Sequence, residues 1–100
     1  MMNAKLVIKD NGFLRQFECN IEGVLAKIEY AQQDRKIFLT KLVMDETLRE
    51  KGHLEPFIES VLEIIKETNQ RVVPTNPDIA KYIRKNRRKY KDLLPVGMTI

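Results

Sequence analysis

A short basic loop, residues 49–54, carries the groups best suited to chemistry in this chain. It reads Arg-Glu-Lys-Gly-His-Leu and joins a strand-like run to an amphipathic helix. The first amides of a helix have no partner within the helix, and they form its positive end. Such a loop is therefore typical of phosphate sites, and we expect the amides from Lys51 to Leu54 to be the donors. The alternative is an ordinary polar connection without a ligand.

The residues in and beside the basic loop limit the strength of the predicted anion site. Glu50 and Glu55 offset the charges of Arg49 and Lys51, so these side chains sum to zero. Pro56 follows in the first helical turn and has no N–H to donate. We therefore expect weak binding, with a dissociation constant of tens of micromolar upward and a binding free energy of about 6–7 kcal/mol.

The composition indicates one globular domain, which we assign to residues 1–95 with a short tail at 96–100. The chain is 43% hydrophobic and 32% charged, which is outside the range of disordered chains. Cys19 is the only cysteine, so an internal disulfide is excluded and no metal site is predicted. Its alternation with Phe17 and Ile21 predicts a buried thiol. No apolar run approaches a membrane span of about 20 residues, and we expect a cytoplasmic protein without membrane contact.

The periodicity predicts an α/β (α+β) domain with a mixed, mostly antiparallel sheet of about five strands. Four predicted strands form an antiparallel meander at residues 5–9, 13–21, 24–30 and 37–44, and Asn11-Gly12 predicts the first hairpin turn. A long helix follows the basic loop, then a strand at residues 71–73 and one or two short C-terminal helices. The strand–helix–strand order places the last strand parallel to its neighbour.

The long helix has two contrasting faces. Its apolar stripe consists of Leu54, Phe57, Ile58, Val61, Leu62 and Ile65, at the spacing of one helical face. Its opposite side carries Glu55, Glu59, Glu63 and Glu67, which we interpret as a solvated face. The sequence therefore predicts that this helix packs on the sheet through one side only.

In that order, these segments resemble the minimal single-domain proteins of the GNAT acetyltransferase superfamily, of the YjdJ type. The similarity extends from about Phe17 to Leu94, and the chain resembles a divergent member. The pyrophosphate loop of the superfamily reads R-x-x-G-x-G/A, and Arg49 and Gly52 fill its first two fixed positions. Leu54 stands where the last small residue belongs. The resemblance implies a GNAT-like sheet whose central and last strands separate to admit a pantetheine arm.

The resemblance also implies the binding residues for acetyl-CoA or coenzyme A. Backbone groups near Val43 and Met44 would hold the pantetheine and polarise the thioester carbonyl, and Asn76 would contact the same arm. The pyrophosphate would lie on the basic loop, with Arg49, Glu50, Lys51, Gly52, His53 and Leu54 as the cofactor-binding residues. For His53, the only histidine, a surface or capping role is favoured over a general base, because the family places this position beside the pyrophosphate.

Two residues are the candidates for catalysis, and the sequence departs from the small group at both chemical positions. The group carries a His-Thr pair where this chain has Lys41 and Leu42, and a cysteine where it has Asn76. An amide cannot carry an acyl group, so transfer through a covalent intermediate is not expected. Asn76 and Tyr82 loosely resemble the N-x-x-A-x-x-x-Y pattern of larger members, in which the tyrosine protonates the departing thiolate. Core packing is the alternative that we favour for Tyr82.

The net charge of +4 is concentrated near the C-terminus, within residues 81–91. This segment has no acidic residue and contains Lys81, Arg84, Lys85, Arg87, Arg88, Lys89 and Lys91. A solvated helix face, or help with a coenzyme phosphate, is favoured over contact with nucleic acid or an acidic protein. The segment lacks the aromatic series that stacks on bases, since Tyr82 and Tyr90 match core positions of the family.

Two functions from different classes remain. The first is an N-acetyltransferase that moves an acetyl group from acetyl-CoA directly to an amine, whose identity the sequence does not give. The second is a catalytically degenerate GNAT-fold binding module that uses the basic C-terminal cluster. The protein is expected to be a monomer or a homodimer.

Overall fold

The computed structural model describes residues 6–98 and contains one five-stranded sheet in the order β1-β2-β3-β4-β5. The strands are β1 (Lys9–Asn11), β2 (Gln16–Ile21), β3 (Val24–Gln33), β4 (Lys36–Val43) and β5 (Arg71–Pro74). The helices are α1 (Glu46–Glu50), α2 (Leu54–Lys66), α3 (Pro77–Lys85) and α4 (Arg87–Tyr90), followed by a 3₁₀ turn at Lys91–Leu93. Strands β1 to β4 pair antiparallel, and β5 pairs parallel to β4. The predicted mixed sheet is confirmed.

The first hairpin differs from the sequence prediction. Residues 6–8 are not a strand, and β1 begins at Lys9; Lys5 lies outside the described residues. The connection between β1 and β2 has four residues rather than two, because Asn11 pairs with Gln16. The Asn11 side-chain oxygen accepts from the amide of Leu14 at 3.1 Å. That contact closes a four-residue loop. The Asn11-Gly12 pair therefore predicted the position of the hairpin correctly but not the length of its turn.

Strand β4 contains a bulge that the sequence pattern did not reveal. Tyr30 of β3 pairs with Leu39, and the next residue back, Glu29, pairs with Lys41, so Thr40 is the extra residue. The Thr40 hydroxyl donates to the Glu29 carbonyl at 3.2 Å. A bulge inverts the alternation beyond it and bends the strand. Leu39 and Leu42 are consequently both buried although they lie three positions apart.

The core lies on one face of the sheet, under α2 and α3. From the sheet it receives mainly Phe17, Cys19, Ile21, Ala26, Ile28, Ile37, Leu39 and Val72, all buried. From α2 it receives Phe57, Ile58, Val61, Leu62 and Ile65, as the stripe predicted, whereas Leu54 is half-buried at its edge. Cys19 is buried as expected, and burial raises the pKa of its thiol. Among residues 6–98, no helix has the length and apolar content needed to cross a bilayer.

The glutamate side of α2 is not simply solvated. Glu55 accepts from the ammonium group of Lys85, and Glu59 accepts from that of Lys89, each at 2.8 Å. Both pairs are exposed, so each contributes little to stability. They show which side of α3 and α4 faces α2, a relation between segments about 30 residues apart.

Candidate functional site

The pairing of β4 with β5 ends before β4 does, and we call the unpaired region between the two segments the gap. Their parallel pairing ends at Leu39 and Pro74. The Leu39 carbonyl then accepts from the amide of Asn76 and the hydroxyl of Thr75, each at 3.1 Å. Beyond this corner, β4 continues to Val43 and pairs only with β3 among the described residues. About four residues of β4, or roughly 13 Å of strand edge, are therefore open to a ligand.

Arg49 lies at the open end of this gap and links its two sides. Its guanidinium Nη1 lies 3.3 Å from a carboxylate oxygen of Asp78, at the start of α3. Its Nε donates to the Met44 carbonyl, just after β4, at 3.4 Å. Val43, the last residue of β4, is partly exposed there, whereas the Met44 side chain is buried. The structure thus places Arg49, Val43 and Met44 together at the mouth of the gap.

Arg49 reaches this position because it lies on α1, a helix that the sequence analysis missed. Asp45 begins the helix, and its carboxylate accepts from the amide of Thr47 at 3.1 Å. An aspartate before Glu46 in the first turn is a typical helix start and could have revealed it. With five residues, α1 is too short for periodicity to show.

Three of the four amides predicted as donors already have backbone partners. The amides of Lys51, Gly52 and His53 donate to carbonyls of α1, at 3.2, 3.0 and 3.1 Å. The first turn of α2 still has amides without a partner in the helix. The first hydrogen bond of this helix runs from the amide of Phe57 to the His53 carbonyl at 3.1 Å. The amides of Leu54 and Glu55 therefore have no partner within the helix, and Pro56 has no N–H. The start of α2 thus presents two adjacent amides.

The space in front of the basic loop is open. Gly52 has a φ of +85°, a conformation that favours glycine, and a Cβ placed there would meet nothing within 4 Å. The side chain of Leu54 packs against the core. Part of the Leu54 side chain is therefore withdrawn into the protein.

Glu22 contacts the basic loop, and the sequence analysis did not identify it. It lies in the turn between β2 and β3, with φ of +54°. One carboxylate oxygen lies 2.6 Å from the Lys51 Nζ, and the other lies 3.0 Å from the His53 Nε2. The hydrogen bonds from Lys51 and His53 lower the pKa of the Glu22 carboxyl. Partners 29 and 31 positions away leave no local signal in a sequence.

Asn76 begins α3 and lies at the corner of the gap. Its side-chain oxygen accepts from the amides of Asp78 and Ile79, at 2.9 and 3.2 Å, which is the geometry of an N-cap. That contact leaves the NH₂ group of the same side chain as a donor. The backbone amide of Asn76 donates to the Leu39 carbonyl, which places the residue at the edge where β4 and β5 part.

Tyr82 has a packing role in the structure. It is buried, and its hydroxyl lies 3.1 Å from that of Tyr90, which is fully buried. The rings are 5.7 Å apart between α3 and α4. Burial and the contact with Tyr90 raise the pKa of the Tyr82 hydroxyl. Proton donation by Tyr82 stays a prediction, while the packing that we favoured from sequence is what the geometry supports.

Lys41 and His53 lie at the surface of this region. Lys41 is exposed on β4 just past the bulge, so its amine lies outside the core. His53 precedes α2 without a side-chain capping bond, and its ring is held by Glu22. The ring of His53, the only histidine in the sequence, therefore makes a surface contact with Glu22.

Comparisons with known proteins agree with this architecture. The family model described as GCN5-related N-acetyl-transferase matches residues 16–93. The solution structure of a GCN5-like protein from Staphylococcus aureus superposes with a TM-score of 0.63 at 24% identity, covering 97% of this chain and 94% of that one. At that identity, the superposition shows a shared fold. A search of curated proteins finds no significant match. The extent of the family match shows that this chain belongs to the GCN5-related N-acetyltransferases.

Proposed function

We propose that this protein binds acetyl-CoA in the gap between β4 and β5 and transfers the acetyl group directly to an amine. The observation that carries the proposal is the parting of the two strands at Leu39 and Pro74, next to the start of α2. An unpaired strand edge can hydrogen-bond the amide groups of a pantetheine arm. A helix start within reach of the same gap suits the diphosphate at the other end of that arm.

In this proposal, one set of residues holds the pantetheine arm and another holds the diphosphate. Backbone groups of β4 near Val43 and Met44, with the Asn76 amide opposite, would hold the pantetheine and orient the thioester. The amides of Leu54 and Glu55 would meet the diphosphate, and Lys51 would turn from Glu22 to the same anion. In the transfer, the amine nitrogen forms a bond to the thioester carbon while the carbon–sulfur bond breaks. Coenzyme A leaves as a thiolate, and the proton of the amine passes to solvent.

Binding should be weak for reasons visible in the site. Glu22 and Glu55 place carboxylates near the diphosphate position, and each like charge opposes an anion. Arg49 is engaged by Asp78 and compensates only in part. We expect a dissociation constant of tens of micromolar upward, in the range of about −6 to −7 kcal/mol.

The test is a titration of ¹⁵N-labelled protein with acetyl-CoA, followed by the NMR shifts of backbone amides. Shifts are expected in residues 40–44 and 52–56 and at Asn76, with acetylpantetheine moving only the first and last of these. Gly52→Ala should weaken acetyl-CoA binding, because a Cβ would enter the open space before the helix. Gly97→Ala is the matched control, since Gly97 has the same φ of +85° in similarly open surroundings.

Both glycine variants should lose similar stability, on the order of 1 kcal/mol, from the left-handed backbone. Only Gly52→Ala should change the titration. An absence of shifts at millimolar acetyl-CoA, or equal effects of the two variants, would contradict the proposed site. Release of free thiol from acetyl-CoA in the presence of a panel of amines then tests the transfer itself.

A further inference from the structure

One side of the molecule carries a continuous basic surface. Three adjoining depressions of about 460, 510 and 420 Å³ share Lys89, Arg71 and Arg87 in their linings. Together they are lined by one acidic residue, Asp92, and nine basic ones. The nine, which we call the basic surface, are Arg35, Lys66, Arg71, Arg84, Lys85, Arg87, Arg88, Lys89 and Lys91.

Folding extends this surface well beyond the cluster that the sequence shows. Arg35 comes from the turn between β3 and β4, Lys66 from the end of α2, and Arg71 from the start of β5. The backbone of Arg71 donates to the Arg35 carbonyl at 2.9 Å. Its side chain donates to the carbonyls of Asp92 and Leu94, which ties the segment after α4 to the sheet. The basic residues are thus held on one scaffold.

The charge of the basic surface is only partly compensated. Lys85 and Lys89 pair with Glu55 and Glu59, and Lys66 pairs with Glu63 at 3.9 Å. Subtracting these three pairs and Asp92 from the nine positive charges, and leaving out Arg87, which has a further contact, gives an excess of four. The exposed side chains of Arg84, Arg88 and Lys91 form no ion pair with an acidic residue of the described chain. The buried side chains of Tyr82, Ile83 and Tyr90 hold the opposite face of α3 and α4 against the core.

The basic surface has the charge and the hydrogen-bond donors of a phosphodiester-binding site. Five of its nine cations are arginines, whose planar guanidinium matches the oxygens of a phosphate. Tyr82 and Tyr90 are buried, so the surface has no exposed ring on which a base could stack. Contacts would therefore be to the backbone, which positions a protein without reading sequence. We propose that this surface binds the phosphate backbone of double-stranded nucleic acid, independently of the coenzyme site.

The charge excess sets the expected strength. If about four phosphates are neutralised, the logarithm of the binding constant should fall with the logarithm of salt concentration with a slope of about −3.6. Sequence-independent binding of this kind has dissociation constants of about 10⁻⁴–10⁻⁶ M. We expect about 10⁻⁵ M at low salt, with no preference between duplexes of different sequence.

The experiment is fluorescence anisotropy of labelled DNA and RNA duplexes of about 16 base pairs, between about 25 and 100 mM NaCl. Arg84→Gln combined with Arg88→Gln should weaken binding at least tenfold and reduce the slope by about 2. Lys9→Gln combined with Lys41→Gln is the matched control, with the same change in charge on exposed residues outside this surface. The control should stay within about twofold of the wild type.

A second variant pair, Arg35→Gln with Lys91→Gln, tests the surface from its other end should the first pair disturb α3 and α4. Unchanged circular dichroism establishes folding in each case. Three results would overturn the proposal: no binding at about 200 µM protein in 25 mM NaCl, equal losses in the control, or equally tight binding to poly-glutamate or anionic vesicles. The last would assign the surface to acidic proteins or to lipid headgroups.

Discussion

Two substitutions at Asn76 separate its role as the N-cap of α3 from a role in binding a ligand. Asn76→Ala removes the oxygen that accepts from the amides of Asp78 and Ile79, at 2.9 and 3.2 Å. Loss of a helix N-cap costs about 1 kcal/mol, within a range of about 0.5–2. Since Ile79 is fully buried, water replaces the lost acceptor poorly, and we expect about 1 kcal/mol or slightly more. In a domain of this size, the melting temperature should fall by about 4–8 °C.

Asn76→Asp is the informative partner of that variant. An aspartate keeps the capping oxygen and adds negative charge at the positive end of α3, so stability should change by less than about 0.5 kcal/mol. It removes the NH₂ donor and places a carboxylate at the corner of the gap. If Asn76 contacts the pantetheine arm, Asn76→Asp should weaken acetyl-CoA binding several-fold while the fold stays intact.

Urea denaturation followed by circular dichroism measures the first effect, and the amide NMR titration measures the second. Asn20→Ala, on an exposed position of β2, is the control and should change stability by less than about 0.5 kcal/mol. Equal destabilisation by the alanine and aspartate variants would refute the assignment of the oxygen as the cap. Wild-type affinity for acetyl-CoA in both variants would restrict Asn76 to a structural role.

Glu22→Gln should raise the affinity for acetyl-CoA by about two- to fivefold, because Lys51 is then released toward the diphosphate. Calorimetry compares it with Glu46→Gln, an exposed charge-matched control, and a loss of affinity or an equal gain in the control would count against the role of Glu22. A separate expectation concerns alkaline pH, since burial raises the pKa of the Tyr82 and Tyr90 hydroxyls. The folded chain holds these two protons more tightly than the unfolded chain. Their contribution to the free energy of unfolding is therefore complete below about pH 10 and decreases as the pH rises above it. The absorbance of ionised tyrosine should therefore rise together with unfolding above about pH 10, and ionisation of these tyrosines near pH 10 in a folded chain would contradict the expectation.

Much of the fold followed from patterns that act over a few residues. The α2 stripe, the strand meander and the parallel last strand all depend on period and order, and each is present. The bulge at Thr40 was not predicted, because one extra residue in an apolar strand leaves the local pattern unchanged. Residues 5–9 had a strand-like pattern, yet β1 begins at Lys9, which shows how weakly a short edge strand is specified.

The site was less predictable than the fold, for a physical reason. Arg49, Gly52 and Asn76 were singled out from motif positions; in the structure Arg49 contacts Asp78, two residues after Asn76, and the Gly52 amide donates to the Arg49 carbonyl. Glu22 and Asp78 contact the same region from distant segments, and only the folded chain brings them there. Side-chain partners across about 30 residues depend on the packing of whole elements, which periodicity does not encode.

The extra residue in β4 ties the opening of the sheet to the stability of the whole domain. If β4 kept Thr40 but paired with β3 without the bulge, regular alternation would turn Leu42 and Met44 toward solvent and Lys41 inward. A substitution that straightens β4 should therefore cost core packing as well as the shape of the open edge, so that the two are preserved together.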